Sequence, residues 1–130
     1  MKKILVSCLC LLMAVALTSA DKDGKVMTKE NGVYVVNTTT LGKSVIGYQS
    51  PTPLKVYIKG DKVQKIEFLT NNETPKYWKA ATNHLQNKWD GMSVKKAKTA
   101  KVDGRTGATM SSNAIKKNVQ LAIEYYEKNK

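Results

Sequence analysis

The chain has 130 residues, with 22 Lys or Arg against 10 Asp or Glu and a formal charge of +12. That length suits one modest core and leaves no room for a second domain of ordinary size. The basic balance raises the question of nucleic acid. The lysines, however, are scattered rather than interleaved with aromatics, so a solvated surface attractive to anionic membrane or an acidic protein accounts for it, with no nucleic acid as partner.

The N-terminus has the layout of a secretory signal peptide. Met1-Lys2-Lys3 is followed by an apolar run over residues 4–17, broken only by Ser7, and then by the small residues Thr18-Ser19-Ala20. The run is too short to span a bilayer comfortably, and charge resumes at Asp21. Cleavage after Ala20 is expected, giving a leader over 1–20 and one domain over 21–130, exported to the periplasm or the extracytoplasmic face of a membrane. Loss of Lys2 and Lys3 takes the formal charge from +12 to +10. Cys8 and Cys10 both lie in the leader, so the exported chain is expected to hold no thiol, disulfide or cysteine metal ligand. Leu5-Val6-Ser7-Cys8 superficially resembles a lipoprotein processing site, but cleavage there leaves almost no apolar segment to engage the export machinery. The domain must then fold by its core, a ligand or a partner.

Residues 21–31 are polar and read as a loose leader. Residues 32–37 (GVYVVN) and 44–49 (SVIGYQ) are short and rich in β-branched and aromatic residues, which predicts two strands. Ser50-Pro51-Thr52-Pro53 breaks the pattern. Leu54, Val56 and Ile58 then alternate with Lys55, Tyr57 and Lys59. Gly60-Asp61 makes a turn, and residues 62–69 return with Ile66 and Phe68 in phase, which reads as a β-hairpin. After the loop Thr70-Asn71-Asn72-Glu73, Thr74-Pro75 looks like an N-cap with proline at the first helical position. Trp78, Ala81, Leu85 and Trp89 recur at helical spacing, predicting a helix over 75–89 closed by Asp90-Gly91. Residues 92–102 are expected to be strand or loop. The last helix shows one apolar stripe, Ile115, Val119, Ala122, Ile123 and Tyr126, with Ser111 or Ser112 as its cap. The sum is an α+β fold: a single small domain with an antiparallel sheet, a hairpin and two packed helices.

Residues 103–112, DGRTGATMSS, stand out for small residues and hydroxyls. Gly104, Gly107 and Ala108 let the backbone turn tightly and let a bulky ligand approach. Thr106, Thr109, Ser111 and Ser112 put four hydroxyls just ahead of a helix N-terminus, a natural site for phosphate. The pattern GxxxxGK[ST] is missing, which excludes a triphosphate loop. Turn and cap chemistry alone also explains such a composition.

The order of these residues resembles the flavinylation motif of the FMN-binding domain family, found in the NqrC and RnfG subunits of ion-pumping redox complexes and in small exported proteins. The motif runs Asp, two variable residues, Ser or Thr, Gly, Ala, then Thr or Ser. Asp103, Thr106, Gly107, Ala108 and Thr109 match every fixed position, and Ser112-Asn113 matches a common continuation. LKVYIKGDKVQKIEFL resembles the family's hairpin and Glu73-Thr74-Pro75 its Glu-Thr-Pro loop, so the likeness covers a core of about 54–127. Lys76 departs from the glycine that commonly follows that loop.

The resemblance implies FMN held covalently. A flavin transferase of the ApbE type, using FAD and magnesium, would join FMN by a phosphoester to Thr109. Asp103 would serve the transferase, and Thr106, Gly107 and Ala108 would form the recognition loop beside the phosphate, with Ser111, Ser112 and Thr74 close by. Glu73 stands either near the flavin or as a charge favouring the helix N-terminus, and the residues leave both open. The implied function is extracytoplasmic electron transfer with membrane-linked redox proteins as partners, the cofactor carrying the chemistry. Two rivals remain: a binding or structural module of this fold without flavin, and a flavin-dependent reductase of a small external acceptor. No catalytic residue or metal site of the chain's own is visible. His84 is the sole histidine and reads as a surface residue, which makes neither triad nor metal centre. Trp78 and Trp89 have the spacing of core residues rather than ring-binding ones.

Overall fold

A computed structural model describes residues 25–130; the expected signal peptide and cleavage site, and both cysteines, lie outside the described residues. Four strands form an antiparallel meander in the order β1-β2-β3-β4: β1 Met27–Glu30, β2 Val33–Asn37, β3 Leu54–Lys59 and β4 Lys62–Phe68. Two two-residue turns close the outer hairpins. Asn31-Gly32 (φ 54° and 80°) joins β1 to β2, and Gly60-Asp61 (φ 57° and 58°) joins β3 to β4. Positive φ at both turn residues matches the right-handed twist of the strands.

β1 lies inside the segment expected to be a loose leader, and it extends the sheet by a strand. In β3 the alternation is realised fully, with Leu54, Val56 and Ile58 inaccessible to solvent. On β4 the pairing skips Gln64, since Ile58 faces Val63 while Tyr57 faces Lys65. This one-residue bulge resets the phase and lets both Val63 and Ile66 turn towards the core.

Four helices accompany the sheet: α1 Thr38–Leu41, α2 Pro75–Leu85, α3 Val94–Thr99 and α4 Thr109–Asn129. α4 lies on β2 and β3 and packs against the other three helices. Its stripe Ile115, Val119, Ala122, Ile123 and Tyr126 is buried as expected. Asn118, on the same helix, donates to Thr52 O and Oγ1 (2.9 and 3.0 Å) and so ties α4 to the β2–β3 connection. No described helix is long and apolar enough to cross a membrane.

Several expected elements differ. Residues 44–49 form a loop with a single bridge, Ile46 to Pro51, because the amides a strand would spend on a neighbour go to a carboxylate instead, as described below. α2 ends at Leu85 rather than Trp89: Gln86 leaves helical geometry and Asn87 turns back at φ 70°. Trp89 still reaches the core, 2% exposed, but from this turn. Residues 92–102 contain α3, whose cap is Ser93, with Oγ accepting from Lys96 N at 3.2 Å. Only Val94 and Ala97 of α3 are buried, so its apolar signal is one pair at i, i+3.

Candidate functional site

The segment from α3 to α4 has no regular structure, yet three side chains from the helices hold it. Lys116 Nζ donates to Val102 O (3.0 Å), and Ser112 Oγ accepts from Arg105 N (3.1 Å). His84 Nε2 donates to Asp103 O (3.1 Å), so this half-buried histidine supports the loop as well as belonging to α2. A tight turn follows, closed by Ala108 N to Arg105 O at 2.9 Å, with Gly107 at φ 88°. A side chain there would be strained.

The helix starts earlier than expected. Ala108 is the N-cap, Thr109 is the first helical residue, and no side chain caps the end. Ser111 and Ser112 are therefore not caps; both lie within the first turn, buried at 1% and 0% exposure. Helix geometry leaves the N–H groups of Thr109, Met110 and Ser111 without intrahelical acceptors, at the positive end of the helix dipole. Thr109 and Thr106 are exposed.

A cavity of about 310 Å³ opens at this helix end. Gly107, Ala108, Thr109 and Ser111 form one side, and Tyr48, Tyr77 and Met110 the other. The two tyrosine rings stand 5.2 Å apart and tilted by 60°. Tyr48 and Met110 are about half exposed (51% and 56%), so this wall of the cavity is open to solvent. The cavity thus has aromatic and thioether walls at one end and a hydroxyl with free amides at the other. Its volume falls at the lower end of ligand pockets.

Glu73 stands just ahead of α2, whose N-cap position is Thr74 with Pro75 next, and directly behind the cavity-lining Tyr48 and Ser111 without lining the cavity itself. There Glu73, 6% exposed, is a brace between elements. Oε1 accepts from Tyr48 N and Ser111 Oγ, each at 2.7 Å, and Oε2 from Gln49 N and Ser50 N at 2.7 and 2.9 Å. Burial pushes its pKa up, but the bonds from Gln49, Ser111, Tyr48 and Ser50 outweigh that and hold it below the usual glutamate value. Gly47 belongs to the same brace: a Cβ there would lie 2.2 Å from Glu73 Oε1. One carboxylate therefore fixes the cavity's Tyr48 wall against the first turn of α4.

The structure thus gathers Gly107, Ala108, Thr109 and Ser111 around one cavity, with Thr106 exposed in the adjoining turn. Asp103 lines a different concavity, Ser112 holds the loop from beneath, and Thr74 occupies the N-cap position of α2 with its hydroxyl given to Gln49 Oε1 at 3.4 Å rather than to the helix. Sequence reasoning missed Tyr48, Tyr77 and Met110. Tyr48 was hidden in a predicted strand, and the Glu-Thr-Pro-Lys-Tyr order was the available pointer to Tyr77. Trp78 packs edge-on against Phe68 (5.7 Å, 85°), and with Trp89 it belongs to the core.

Fold and cavity together define a small α+β domain with an open cavity between two tyrosines and a helix N-terminus. The chain belongs to the FMN-binding domain family, whose model matches residues 47–124, more than half of its length. The match runs from the glycine of the Glu73 brace into α4. Comparison with curated proteins and with solved structures gives no match. The residues present fit FMN, with free amides and hydroxyls for the phosphate and Tyr48, Tyr77 and Met110 for the ring.

Proposed function

We propose that this FMN-binding protein carries its cofactor as a phosphoester on Thr109 and works outside the cytoplasm as an electron carrier. One observation carries the reading: the last hydroxyl of the motif is exposed at the first position of α4, on the rim of a ring-sized cavity. A flavin transferase of the ApbE type, with FAD and magnesium, would make the bond. Thr109 Oγ1 joins the FMN phosphorus of FAD and loses its proton, while the pyrophosphate bond breaks and AMP leaves. Asp103, exposed and lining a separate concavity, is accessible to that enzyme.

The N–H groups of Thr109, Met110 and Ser111 and the dipole of α4 stabilise the phosphate's negative charge. Tyr48 and Tyr77 bound the ring, and Glu73 keeps Tyr48 in place. When bound, FMN supplies one- and two-electron redox chemistry. The chain's own residues supply position, charge compensation and partial exclusion of water. A phosphoester also prevents loss of the flavin by dissociation, a need that the signal-peptide layout of residues 1–20 makes concrete. Partners on this reading are membrane-linked redox proteins. Intact mass and a visible absorption spectrum of protein from its native host test it. A mass increment of FMN less water with flavin absorption is expected; an unmodified, colourless chain beginning at Asp21 would refute it.

A further inference from the structure

A second concavity, of about 480 Å³, lies between α3, the loop after it and α4, apart from the ring cavity. Lys98, Lys101, Lys116 and Lys117 converge on it, with Asp103 on its edge. Lys98 is paired with Glu127 at 2.7 Å, and Lys116 is spent on Val102 O. Lys101 and Lys117 are exposed and have no hydrogen-bond or ion-pair partner among the described residues. With Lys98 neutralised by Glu127, the groove still carries Lys101, Lys116 and Lys117 against one carboxylate, Asp103, and so is net positive.

Their position relative to Thr109 identifies what fits. Thr109, Asn113, Lys116, Lys117 and Gln120 follow at offsets that place them on one stripe of α4. Lys117 is about 12 Å along the helix from Thr109. Whatever grips the groove therefore has the threonine in line along the same helix face, with Asp103 in the groove's lining.

We propose that this groove is the docking site of the enzyme that modifies Thr109, engaged through an acidic projecting loop of that enzyme. The proposal rests on the reading that Thr109 is flavinylated. A concavity receives a ridge or loop, whereas a bilayer is flat; acidic side chains pair with the unpartnered Lys101 and Lys117 and speed encounter. Asp103 then faces the docked enzyme rather than the bound ring.

The test is steady-state flavinylation of the full exported chain with purified transferase, FAD and magnesium. Lys101→Glu/Lys117→Glu should raise the KM for the protein substrate about tenfold or more at low salt, with kcat unchanged within about twofold. Added salt should raise the wild-type KM towards that of the variant. A charge-matched control, Lys95→Glu/Lys96→Glu on exposed positions of α3 outside the groove, should leave KM near wild type. Equal KM values for wild type and the groove variant would overturn the proposal, as would an equal rise in the control. So would binding of the wild type to phosphatidylglycerol vesicles that the groove variant loses while its KM stays unchanged. A wild type that is never modified would instead refute the Thr109 reading itself.

Discussion

Glu73→Gln isolates the charge of the brace while keeping its shape. The carboxylate, 6% exposed, accepts from three backbone amides and the Ser111 hydroxyl, with a longer bond of 3.5 Å from Ser50 Oγ. An amide replaces one acceptor oxygen by a donor. Its cheaper orientation aims the NH2 at the Oε1 position, where the Ser111 hydroxyl can rotate to accept. The Tyr48 N–H then faces a donor and is orphaned, at a cost of about 1–3 kcal/mol. The bonds from Gln49 and Ser50 survive but lose charge assistance, about 1 kcal/mol each. The total loss is about 3–5 kcal/mol, or about 15–25 °C in Tm for a domain of this size. Urea and thermal unfolding followed by circular dichroism measure it. The pH dependence supplies a second reading. The folded pKa lies below the ordinary value of 4.5. Glu73 therefore contributes stability that is fully present above pH 4.5 and is lost as pH falls through the folded pKa. Wild type should lose that increment in acid, and Glu73→Gln should lack it, so the two stability curves converge. A destabilisation under about 0.5 kcal/mol, the range of ordinary surface substitutions, or parallel pH curves would refute the brace.

Gly47→Ala pushes a Cβ into Glu73 Oε1 and should cost about 1–3 kcal/mol in urea unfolding. Combined with Glu73→Gln it should cost less than the sum, since both act on one contact. Asp103→Asn should leave a folded domain by circular dichroism that stays largely unmodified by intact mass; loss of the fold would make Asp103 structural. Tyr77→Ala removes a cavity wall without touching Thr109, so covalent flavin should persist while its fluorescence in the native state rises towards that of the denatured protein. Unchanged fluorescence would place the ring elsewhere.

The parts of this fold legible in the sequence were those set by neighbours in the chain. The β3–β4 hairpin announced itself by strict alternation around Gly60-Asp61, and α4 by a stripe repeated over three turns. β1 was missed although Asn31-Gly32 is a strong two-residue turn signal. It is an edge strand with Lys29 and Glu30 exposed, so its composition reads as polar leader. Trp89 misled because its spacing from Leu85 coincides with a helical turn, while Gln86 and Asn87 had already left the helix. Residues 44–49 have strand composition, but their conformation is decided by a carboxylate more than twenty residues away, which no local pattern reports. The site divides the same way. The loop from Asp103 to Thr109 was visible as an ordered motif. The tyrosine walls and the Glu73 brace exist only once the 47–50 loop, α2 and α4 meet.

Covalent attachment at Thr109 is the claim on which the electron-carrier reading stands, and the hydroxyl can be tested alone. Wild type, Thr109→Ser and Thr109→Val are each co-expressed with an active flavin transferase, denatured, run on a gel and examined for flavin fluorescence. Serine keeps the oxygen and valine keeps the branched shape without it. Fluorescent wild-type and serine bands beside a dark valine band are expected, with all three proteins folded by circular dichroism. A fluorescent valine band would assign the flavin to Thr106, Ser111, Ser112 or another group. A dark wild-type band, with transferase and FAD shown to be active, would contradict covalent FMN altogether.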